Sequence, residues 1–240
     1  MYGRRTHRSD PQPVARGHAL RPVSPAPRDA ERESDRVYET LKAKIVRIGL
    51  APGAVLNESD LMRQLDTGRT PLREALQRLV IDRLVVVLPR RGTMVAGISI
   101  DDLRQIWEVR LPIEGHGARL AAERMTDPEI AALGDLVDRA ATAVTRGGDF
   151  HALGEIDRLL HFALAAGARN EHLADTLGRL YSLTQRIWYF TQRRAPQKDR
   201  MMHVEWRAVV EAIRRRDGYA AEQAMREHVM QAKSSLHEAM

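Results

Sequence analysis

The sequence of 240 residues contains no cysteine, only 5% aromatic residues and no apolar run long enough to cross a membrane. The lack of cysteine excludes a disulfide framework, Cys-ligated zinc, an iron–sulfur cluster and a thiol nucleophile. A membrane-spanning helix needs about 20 apolar residues, and the basic N-terminus is not followed by the apolar segment of a secretory signal. We therefore expect a soluble, cytoplasmic protein without a membrane partner.

Charge is distributed unevenly along the chain. The net charge is +6, but residues 1–97 carry +7 and residues 98–240 carry −1. A basic segment joined to a nearly neutral one indicates that one end of the molecule meets an anionic partner, most simply nucleic acid. Charge alone leaves open the alternative that these basic residues are ordinary solvated surface.

The first 33 residues differ from the rest in composition. They contain 5 of the 11 prolines and little apolar periodicity, so we expect a disordered arm rich in proline and arginine. Such an arm is either an electrostatic accessory to DNA binding or a dispensable tail.

Residues 34–97 show the order helix, short helix, turn, helix and β-hairpin. Thr70 is the expected N-cap of the helix after the turn, and Pro71 would take its first position, where a missing N–H costs nothing. The β-branched run at 84–88 is expected to pair with 93–95. This order is typical of a winged helix-turn-helix domain.

Residues 98–240 show helical periodicity and no strand pattern. Ser99 is expected to cap the first helix, and Pro112 could kink it. The sequence therefore predicts a mainly α protein, in which an N-terminal winged helix-turn-helix precedes an all-α bundle of about six helices. The expected helices cover 100–125, 127–146, 149–166, 170–193, 198–216 and 219–239.

One face of the helix after the turn carries polar side chains opposite its leucine stripe. Arg69, Arg73 and Gln77 follow one another at intervals of four residues, and Thr70 lies at the helix start. Arginine can donate two hydrogen bonds to guanine in the major groove, and a hydroxyl can donate to a phosphate or a base. We predict that these four residues contact DNA.

The predicted hairpin has a basic tip formed by Arg90, Arg91 and Gly92. Two cations beside a glycine that permits close backbone approach suit a wing laid along a minor groove or phosphates. The tip is therefore the second predicted DNA contact.

The run Arg-Thr-Pro-Leu-Arg-Glu-Ala-Leu at 69–76, together with the wing sequence at 89–95, resembles the GntR family of bacterial transcription regulators. The resemblance implies a homodimer that binds a pseudo-palindromic operator. It places Arg69, Thr70, Arg73, Arg91 and Gly92 on the family's DNA-contacting positions. Two departures concern the turn at 66–68 and an arginine, residue 83, that replaces a usual glycine.

The C-terminal part contains Val109-Arg110-x-x-Ile113-Glu114, Asp157-x-x-x-His161 and the run at 207–213. With these residues it resembles the helical ligand-binding domain of the FCD subfamily, the fatty-acid-regulator branch of GntR proteins. Asp157 and His161 are spaced i, i+4, so they share a helix face and could hold one metal ion. The resemblance adds His228 as a further ligand, but Trp206 occupies the position of another histidine, and tryptophan cannot ligate. His203, one turn earlier, could replace it.

Three ligands and a water would suit Zn²⁺, Mn²⁺ or Ni²⁺. The alternatives are a metal-free polar pocket in which the imidazoles bind an effector directly, or a satisfied core. The resemblance places Arg110 where family members direct an arginine toward a carboxylate effector, for which its forked guanidinium is suited. The alternative is a salt bridge with a glutamate at the surface or at the dimer interface. The predicted effector site thus comprises Arg110, Asp157, His161, Trp206 and His228.

These features predict a cytoplasmic, dimeric and ligand-responsive repressor that associates with the nucleoid when it binds DNA, and that is not an enzyme. The effector would be a small metabolite with a carboxylate. One alternative is a metal-dependent helical enzyme that acts on a small organic acid with Asp157, His161 and His228. The other is an architectural DNA-binding protein without an effector.

Overall fold

The computed structural model describes residues 28–146, 150–194 and 202–239. Over these ranges the chain forms nine helices and one β-hairpin, so the predicted mainly α fold class is confirmed. The elements are α1 Arg28–Val46, α2 Glu58–Leu65, α3 Arg69–Ile81, β1 Val85–Leu88, β2 Gly92–Val95, α4 Ile100–Arg124, α5 Asp127–Thr145, α6 Phe150–Gly167, α7 Glu171–Arg194, α8 Met202–Arg214 and α9 Gly218–Ala239.

The first helix begins earlier than expected. We predicted a disordered segment up to residue 33, but α1 starts at Arg28, and residues 1–27 lie outside the described part of the chain. The helix ends at Val46, after which Ile48 adopts a left-handed conformation with φ 58. Gly49 then donates its N–H to the carbonyl of Lys44 at 2.7 Å, which is the expected way to satisfy a free carbonyl at a helix C-terminus.

Helices α1, α2 and α3 enclose the core of the N-terminal domain. Leu41 and Ile45 of α1 are fully buried against Leu72 and Leu79 of α3. The side chain of Asn57 caps α2 by accepting from the N–H of Asp60 at 3.1 Å. The apolar periodicity of the sequence thus fixes which face of each helix is turned inward.

The expected start of α3 is wrong. Gly68 is its N-cap, because the N–H of Leu72 donates to the carbonyl of Gly68 at 3.3 Å. Thr70 therefore lies within the first turn, and Pro71 takes the third helical position rather than the first. The first four N–H groups of a helix have no intrahelical acceptor, so proline is tolerated at the third position as well.

The hairpin has the predicted strands. Val85 pairs with Val95 and Leu88 pairs with Gly92. The connecting turn is closed by a 3.2 Å hydrogen bond from the N–H of Arg91 to the carbonyl of Leu88. Arg90, directly after a proline, has φ 64, which is the pattern of a type II turn.

Helices α4 to α9 form the C-terminal domain, and these six helices of the described chain match the predicted number. The long helix α4 packs against α6, α7, α8 and α9. Ser99 caps α4 by accepting from the N–H of Asp102 at 3.1 Å, as predicted. Pro112 lies within the helix on its exposed side. None of the helices in the described ranges is long and apolar enough to cross a membrane.

Helix α7 contacts both domains. Tyr189 near its C-terminal end is buried in the core of the N-terminal domain. One turn earlier, the guanidinium of Arg186 donates to the carbonyls of Ala96 and Gly97, in the segment between the hairpin and α4. An ion pair of 2.7 Å between Arg47 and Glu155 joins α1 to α6. The two domains are therefore held together mainly along α7.

Candidate functional site

The predicted reading face is an exposed surface of α3. Arg69, Arg73 and Gln77 are all exposed, as is Thr70, while the leucines on the opposite side of the helix are buried in the domain core. The helix thus presents two arginines and an amide to solvent at intervals of about one turn. This arrangement can offer hydrogen-bond donors to base edges and phosphates.

Arg73 already has an acidic partner on this surface. Its Nε lies 3.2 Å from Oε2 of Glu58 at the start of α2, and the side chains are 59% and 34% exposed. An ion pair this exposed contributes about 0–1 kcal/mol to stability. Breaking this ion pair to form a contact with DNA would therefore cost little free energy. In the absence of DNA, the pair keeps the Arg73 side chain on the exposed face of α3.

The hairpin places the second predicted contact at its tip. Arg90, Arg91 and Gly92 are exposed, and the positive φ of Gly92, 79°, bends the backbone at the start of β2. The two guanidinium groups therefore project from a narrow loop. A loop of this kind can enter a groove or lie along a phosphate backbone.

A second cluster lies inside the C-terminal domain. Asp157 and His161 from α6 meet His228 from α9, and their ligating atoms all lie within 4.8 Å of one another. Nε2 of His161 and Nε2 of His228 are 3.3 Å apart. Nε2 of His161 is 3.6 Å, and that of His228 is 3.8 Å, from the nearer carboxylate oxygen of Asp157. We call these three residues the acid–histidine site.

Two further carboxylates orient the imidazoles. Nδ1 of His161 lies 2.6 Å from Oε2 of Glu114, and Nδ1 of His228 lies 2.9 Å from Oε2 of Glu205. A histidine that donates its Nδ1–H to a carboxylate turns its Nε2 lone pair to the opposite side, as metal-binding histidines do. Both lone pairs therefore point into the acid–histidine site. Neither glutamate was among the site residues predicted from the sequence.

Trp206 lies at the same site without offering a ligand atom. Its Nε1–H donates to Oδ1 of Asp157 at 3.0 Å, and the hydroxyl of Tyr181 donates to Oδ2 at 2.7 Å. The indole also packs against both imidazoles, with ring centroids 4.9 Å and 4.8 Å apart. The side chain of His203, one turn before Trp206, lies outside the described part of the chain.

The buried charges shift the pKa values of the cluster. Burial alone would raise the pKa of Glu114, but Arg110 and His161 together hold it at about 2. Burial also opposes ionisation of Asp157, yet the two histidines lower its pKa. Burial would lower the pKa of His228, but Glu205 and Asp157 raise it.

The geometry of the acid–histidine site fits a divalent metal ion. Two nitrogen ligands at 2.0–2.1 Å from a tetrahedral ion lie about 3.3 Å apart, which matches the separation of the two Nε2 atoms. Both imidazoles have the outer carboxylate partner typical of metal ligands. Asp157, His161 and His228 could thus supply three ligands, and Trp206 leaves a fourth position without a protein ligand.

Arg110 is buried next to this cluster and is already paired. It is 2% exposed, its Nε donates to Oε1 of Glu114, and its guanidinium stacks on Trp107 at 4.5 Å from the ring centroid. Arg110 thus forms a salt bridge with a glutamate, as the alternative interpretation expected, but the pair lies in the interior of the domain and not on the surface. Glu114 therefore already engages Nε of Arg110 in the absence of an effector.

A cavity of about 120 Å³ borders the cluster between α4, α6 and α7. Glu114, His161 and Tyr181 form its polar end. The remaining wall is apolar and includes Phe162, Ala165, Ala166, Ala174, Leu177 and Gly178. Nε2 of His161 therefore faces Asp157 and His228, and the imidazole ring lines the cavity.

Comparison with known proteins shows to which class of protein the chain belongs. The family model of the FCD domain matches residues 105–231, and that of the bacterial regulatory proteins of the gntR family matches residues 33–95. The HTH-type transcriptional repressor RspR of Escherichia coli K12 is 28% identical over 209 residues, which cover 85% of this chain and 89% of the relative. The Nta operon transcriptional regulator of Aminobacter aminovorans is 32% identical over 158 residues, which cover 64% and 72% respectively.

Comparison with solved structures finds a similar fold. The solved structure of E. coli McbR/YncC superposes with a TM-score of 0.77 at 24% identity, covering 86% of this chain and 97% of that one. The domain order defines a DNA-binding transcription regulator rather than an enzyme. The chain belongs to the GntR family of bacterial regulators, in the branch that carries an FCD domain. The resemblance noted from the sequence is thereby confirmed.

Proposed function

We propose that this regulator is a homodimeric repressor that binds a pseudo-palindromic operator and releases it when a small carboxylate binds the helical domain. The observation that carries this proposal is that α7 contacts both the cavity beside the acid–histidine site and the core of the DNA-binding domain. The E. coli relative RspR is a transcriptional repressor, which supports repression rather than activation. Such a protein acts in the cytoplasm, at the nucleoid.

The DNA-binding residues are those on the exposed face of α3 and at the hairpin tip. Arg69, Arg73 and Gln77 would read base edges in the major groove, while Arg90 and Arg91 bind phosphates or the adjacent minor groove. Two copies related by a two-fold axis would place two α3 helices on half-sites about one helical turn or less apart. Thr70 would donate to a phosphate or a base, and Gly92 would allow the hairpin backbone to approach DNA closely.

In the helical domain, Asp157, His161 and His228 would hold a divalent cation, with Zn²⁺, Mn²⁺ and Ni²⁺ compatible with these ligands. A bound cation supplies a Lewis-acidic position for an effector carboxylate. Glu114 and Glu205 keep the imidazoles oriented, and Trp206 and Tyr181 hold Asp157 through its two oxygens. The protein's own residues thus preorganise the site before an effector arrives.

A binding assay with a fluorescent DNA fragment from upstream of the gene tests the DNA-binding half. We expect a salt-sensitive, sequence-preferring complex with two protein chains per operator. Arg73→Ala should weaken it by about 1–3 kcal/mol and relax specificity at one position. The matched control is Arg139→Ala, which removes an exposed arginine on α5. Equal losses in both variants would refute the assigned reading face.

Titration of that complex with small organic acids, in the presence of Zn²⁺, tests the sensing half. We expect an acid to dissociate the complex and to require intact His161. The architectural alternative predicts that no small molecule changes the affinity for DNA. Elemental analysis of the purified protein and of His161→Ala would show whether the acid–histidine site retains a metal.

A further inference from the structure

The connection between α2 and α3 is short and has no capping side chain at the start of α3. Asp66, the C-cap of α2, adopts a left-handed conformation with φ 46 and ψ 64. Gly68 is the N-cap of α3 and has no side chain that could accept a hydrogen bond from the first turn. Serine, threonine, asparagine or aspartate at an N-cap usually supplies this bond. Other contacts must therefore fix the start of α3, and with it the position of Arg69.

Two side chains of α1 supply contacts of this kind. The hydroxyl of Thr67 donates to Oε1 of Glu33 at 2.6 Å. Nη2 of Arg36 donates to the carbonyl of Leu65 at 2.8 Å and to that of Asp66 at 3.2 Å. Glu33 and Arg36 are spaced i, i+3, so they lie on the same face of α1. Three consecutive residues of the connection are thus held from one side, and we call Glu33 and Arg36 the turn clamp.

The turn clamp differs in kind from the apolar contacts between α1 and α3. Leu41 and Ile45 of α1 are buried in the same core as the leucines of α3, and the stabilisation from such burial depends on area and has no preferred direction. A hydrogen bond requires a narrow range of distance and angle. The apolar core therefore determines which face of α3 is buried, whereas the turn clamp determines where the helix starts.

A base edge is also recognised over a short distance. Arg69 follows Thr67 by two residues and is exposed, and it can donate to a base only where its guanidinium comes within hydrogen-bond distance. The attraction of a cation to the phosphate backbone is longer-ranged and independent of sequence. A displaced start of α3 therefore lowers the affinity for the operator more than the affinity for unrelated DNA.

We propose that Glu33 and Arg36 are positioning residues for sequence recognition: through the connection at 65–67 they place Arg69 against the operator and do not contact DNA themselves. The inference rests on the proposed reading face of α3. Simple electrostatics makes the carboxylate of Glu33 unfavourable for binding any DNA. The turn clamp predicts the opposite sign for the operator, because loss of Glu33 displaces Arg69.

Two variants of Glu33 separate its charge from its hydrogen bond. Fluorescence anisotropy of the full-length protein gives its affinities for the DNA fragment from upstream of the gene and for a scrambled fragment of equal length. Glu33→Ala and Glu33→Gln both remove the charge, but only glutamine keeps an oxygen that can accept from Thr67. Glu33→Ala should lower the ratio of the two affinities by roughly threefold to tenfold, which corresponds to one hydrogen bond, and Glu33→Gln should keep the ratio of the wild type. Equal ratios in the two variants would mean that Glu33 acts through its charge, and would overturn the inference.

Thr67→Val tests whether the hydroxyl of Thr67 acts through Glu33. The double variant Glu33→Ala/Thr67→Val should lower the ratio no further than either single variant, because both substitutions remove the same hydrogen bond. Losses that add would mean that the hydroxyl binds DNA directly, and would overturn the inference. Arg36→Lys keeps the charge but ends one bond short of the position of Nη2, so it should also lower the ratio. An unchanged ratio in Arg36→Lys would overturn the role assigned to Arg36.

The matched control is Glu39→Ala, which removes an exposed carboxylate of the same helix and should leave the ratio unchanged. Circular dichroism and retained binding to the scrambled fragment show that each variant is folded; if Glu33→Ala is unfolded, Thr67→Val provides the same test. A wild-type ratio in Glu33→Ala and Thr67→Val overturns the inference, while the reading face, tested by Arg73→Ala, stands. If the wild type does not prefer the upstream fragment, the proposed function itself is wrong and the inference falls with it.

Discussion

The indole Nε1 of Trp206 donates a 3.0 Å hydrogen bond to Oδ1 of Asp157. Trp206 is fully buried and stands at the position where the metal-binding relatives implied by the sequence resemblance have a histidine. In this chain the neutral indole N–H of Trp206 therefore orients Asp157, and a histidine at the same position would have supplied a further metal ligand. The substitution leaves one coordination position of a metal ion at this site without a protein ligand.

Replacing Trp206 with histidine should convert the site to four protein ligands. We expect Trp206→His to bind Zn²⁺ on the order of tenfold to a hundredfold more tightly in competition with a chromogenic chelator. Without metal it should be less stable by roughly 3 kcal/mol, because a large buried ring is lost. Trp206→Phe is the control, since it lacks both the donor and a ligand atom. Equal Zn²⁺ affinities of the two variants would count against the proposed coordination geometry.

Glu114 should make the metal-free protein sensitive to acid. Its pKa in the folded protein, about 2, is below the ordinary value of 4.5. Its stabilising contribution is therefore complete above pH 4.5 and is lost as the pH falls toward 2. Glu114→Gln should lower the free energy of unfolding by about 3–5 kcal/mol at pH 7, since Arg110 loses its buried partner.

The same variant tests the direction of this pH dependence. In urea unfolding at pH 7, 5, 4 and 3, the stability difference between the wild type and Glu114→Gln should shrink as the pH falls. A difference that stays constant over this range would mean that the Glu114 carboxylate is not held in its charged form by Arg110 and His161.

Arg83 occupies a backbone conformation that favours glycine. It has φ 58 in the turn between α3 and β1, where the family usually has glycine. A non-glycine residue in the left-handed region costs about 1–2 kcal/mol, part of which glycine loses again through its freer unfolded chain. Arg83→Gly should therefore raise the free energy of unfolding by about 1 kcal/mol in denaturant titration. Arg83→Ala keeps the Cβ and should not; a gain in both variants would point to the side chain instead.

Arg186 should couple effector binding to DNA binding. Burial lowers its pKa to about 10, opposed by the charge of Asp102, so it remains a cation at neutral pH, and it donates to the carbonyls of Ala96 and Gly97. Arg186→Gln should retain effector affinity within about threefold yet lose most of the effector-induced release of operator DNA. Both quantities follow from calorimetry and fluorescence anisotropy on one preparation.

The control for that prediction is Arg179→Gln, an exposed arginine on the same helix, which should behave as the wild type. Unchanged release in Arg186→Gln, with circular dichroism showing an intact fold, would assign the coupling to other contacts.

Periodicity and composition predicted the larger features because each depends on local sequence. The leucine stripe of α3 defines the inward face of that helix, and the β-branched run at 84–88 indicates a strand, without reference to the rest of the chain. The start of α3 was misplaced because Thr70 and Pro71 match a common capping pattern, and nothing local distinguishes the third helical position from the first. Gly68 takes the cap instead.

The acid–histidine site was predicted only in part, for a related reason. Asp157 and His161 lie on one helix, so their spacing indicates proximity. Glu114 and Glu205 approach the imidazoles from α4 and α8, and His161 and Glu114 are brought together by packing alone. The spacing of Arg110 and Glu114, which are also i and i+4, was the one local signal that could have indicated a buried charge pair.

Helix α7 links the acid–histidine site to the core of the DNA-binding domain. Tyr181, which holds Asp157, and Tyr189, which belongs to the DNA-binding core, are separated by eight residues, or about 12 Å of helix. The proposed effector site and the core of the DNA-binding domain thus lie at two ends of the same short stretch of backbone. We expect sequence changes between them to alter ligand preference and DNA affinity together, so that a change of effector would also change the affinity for the operator.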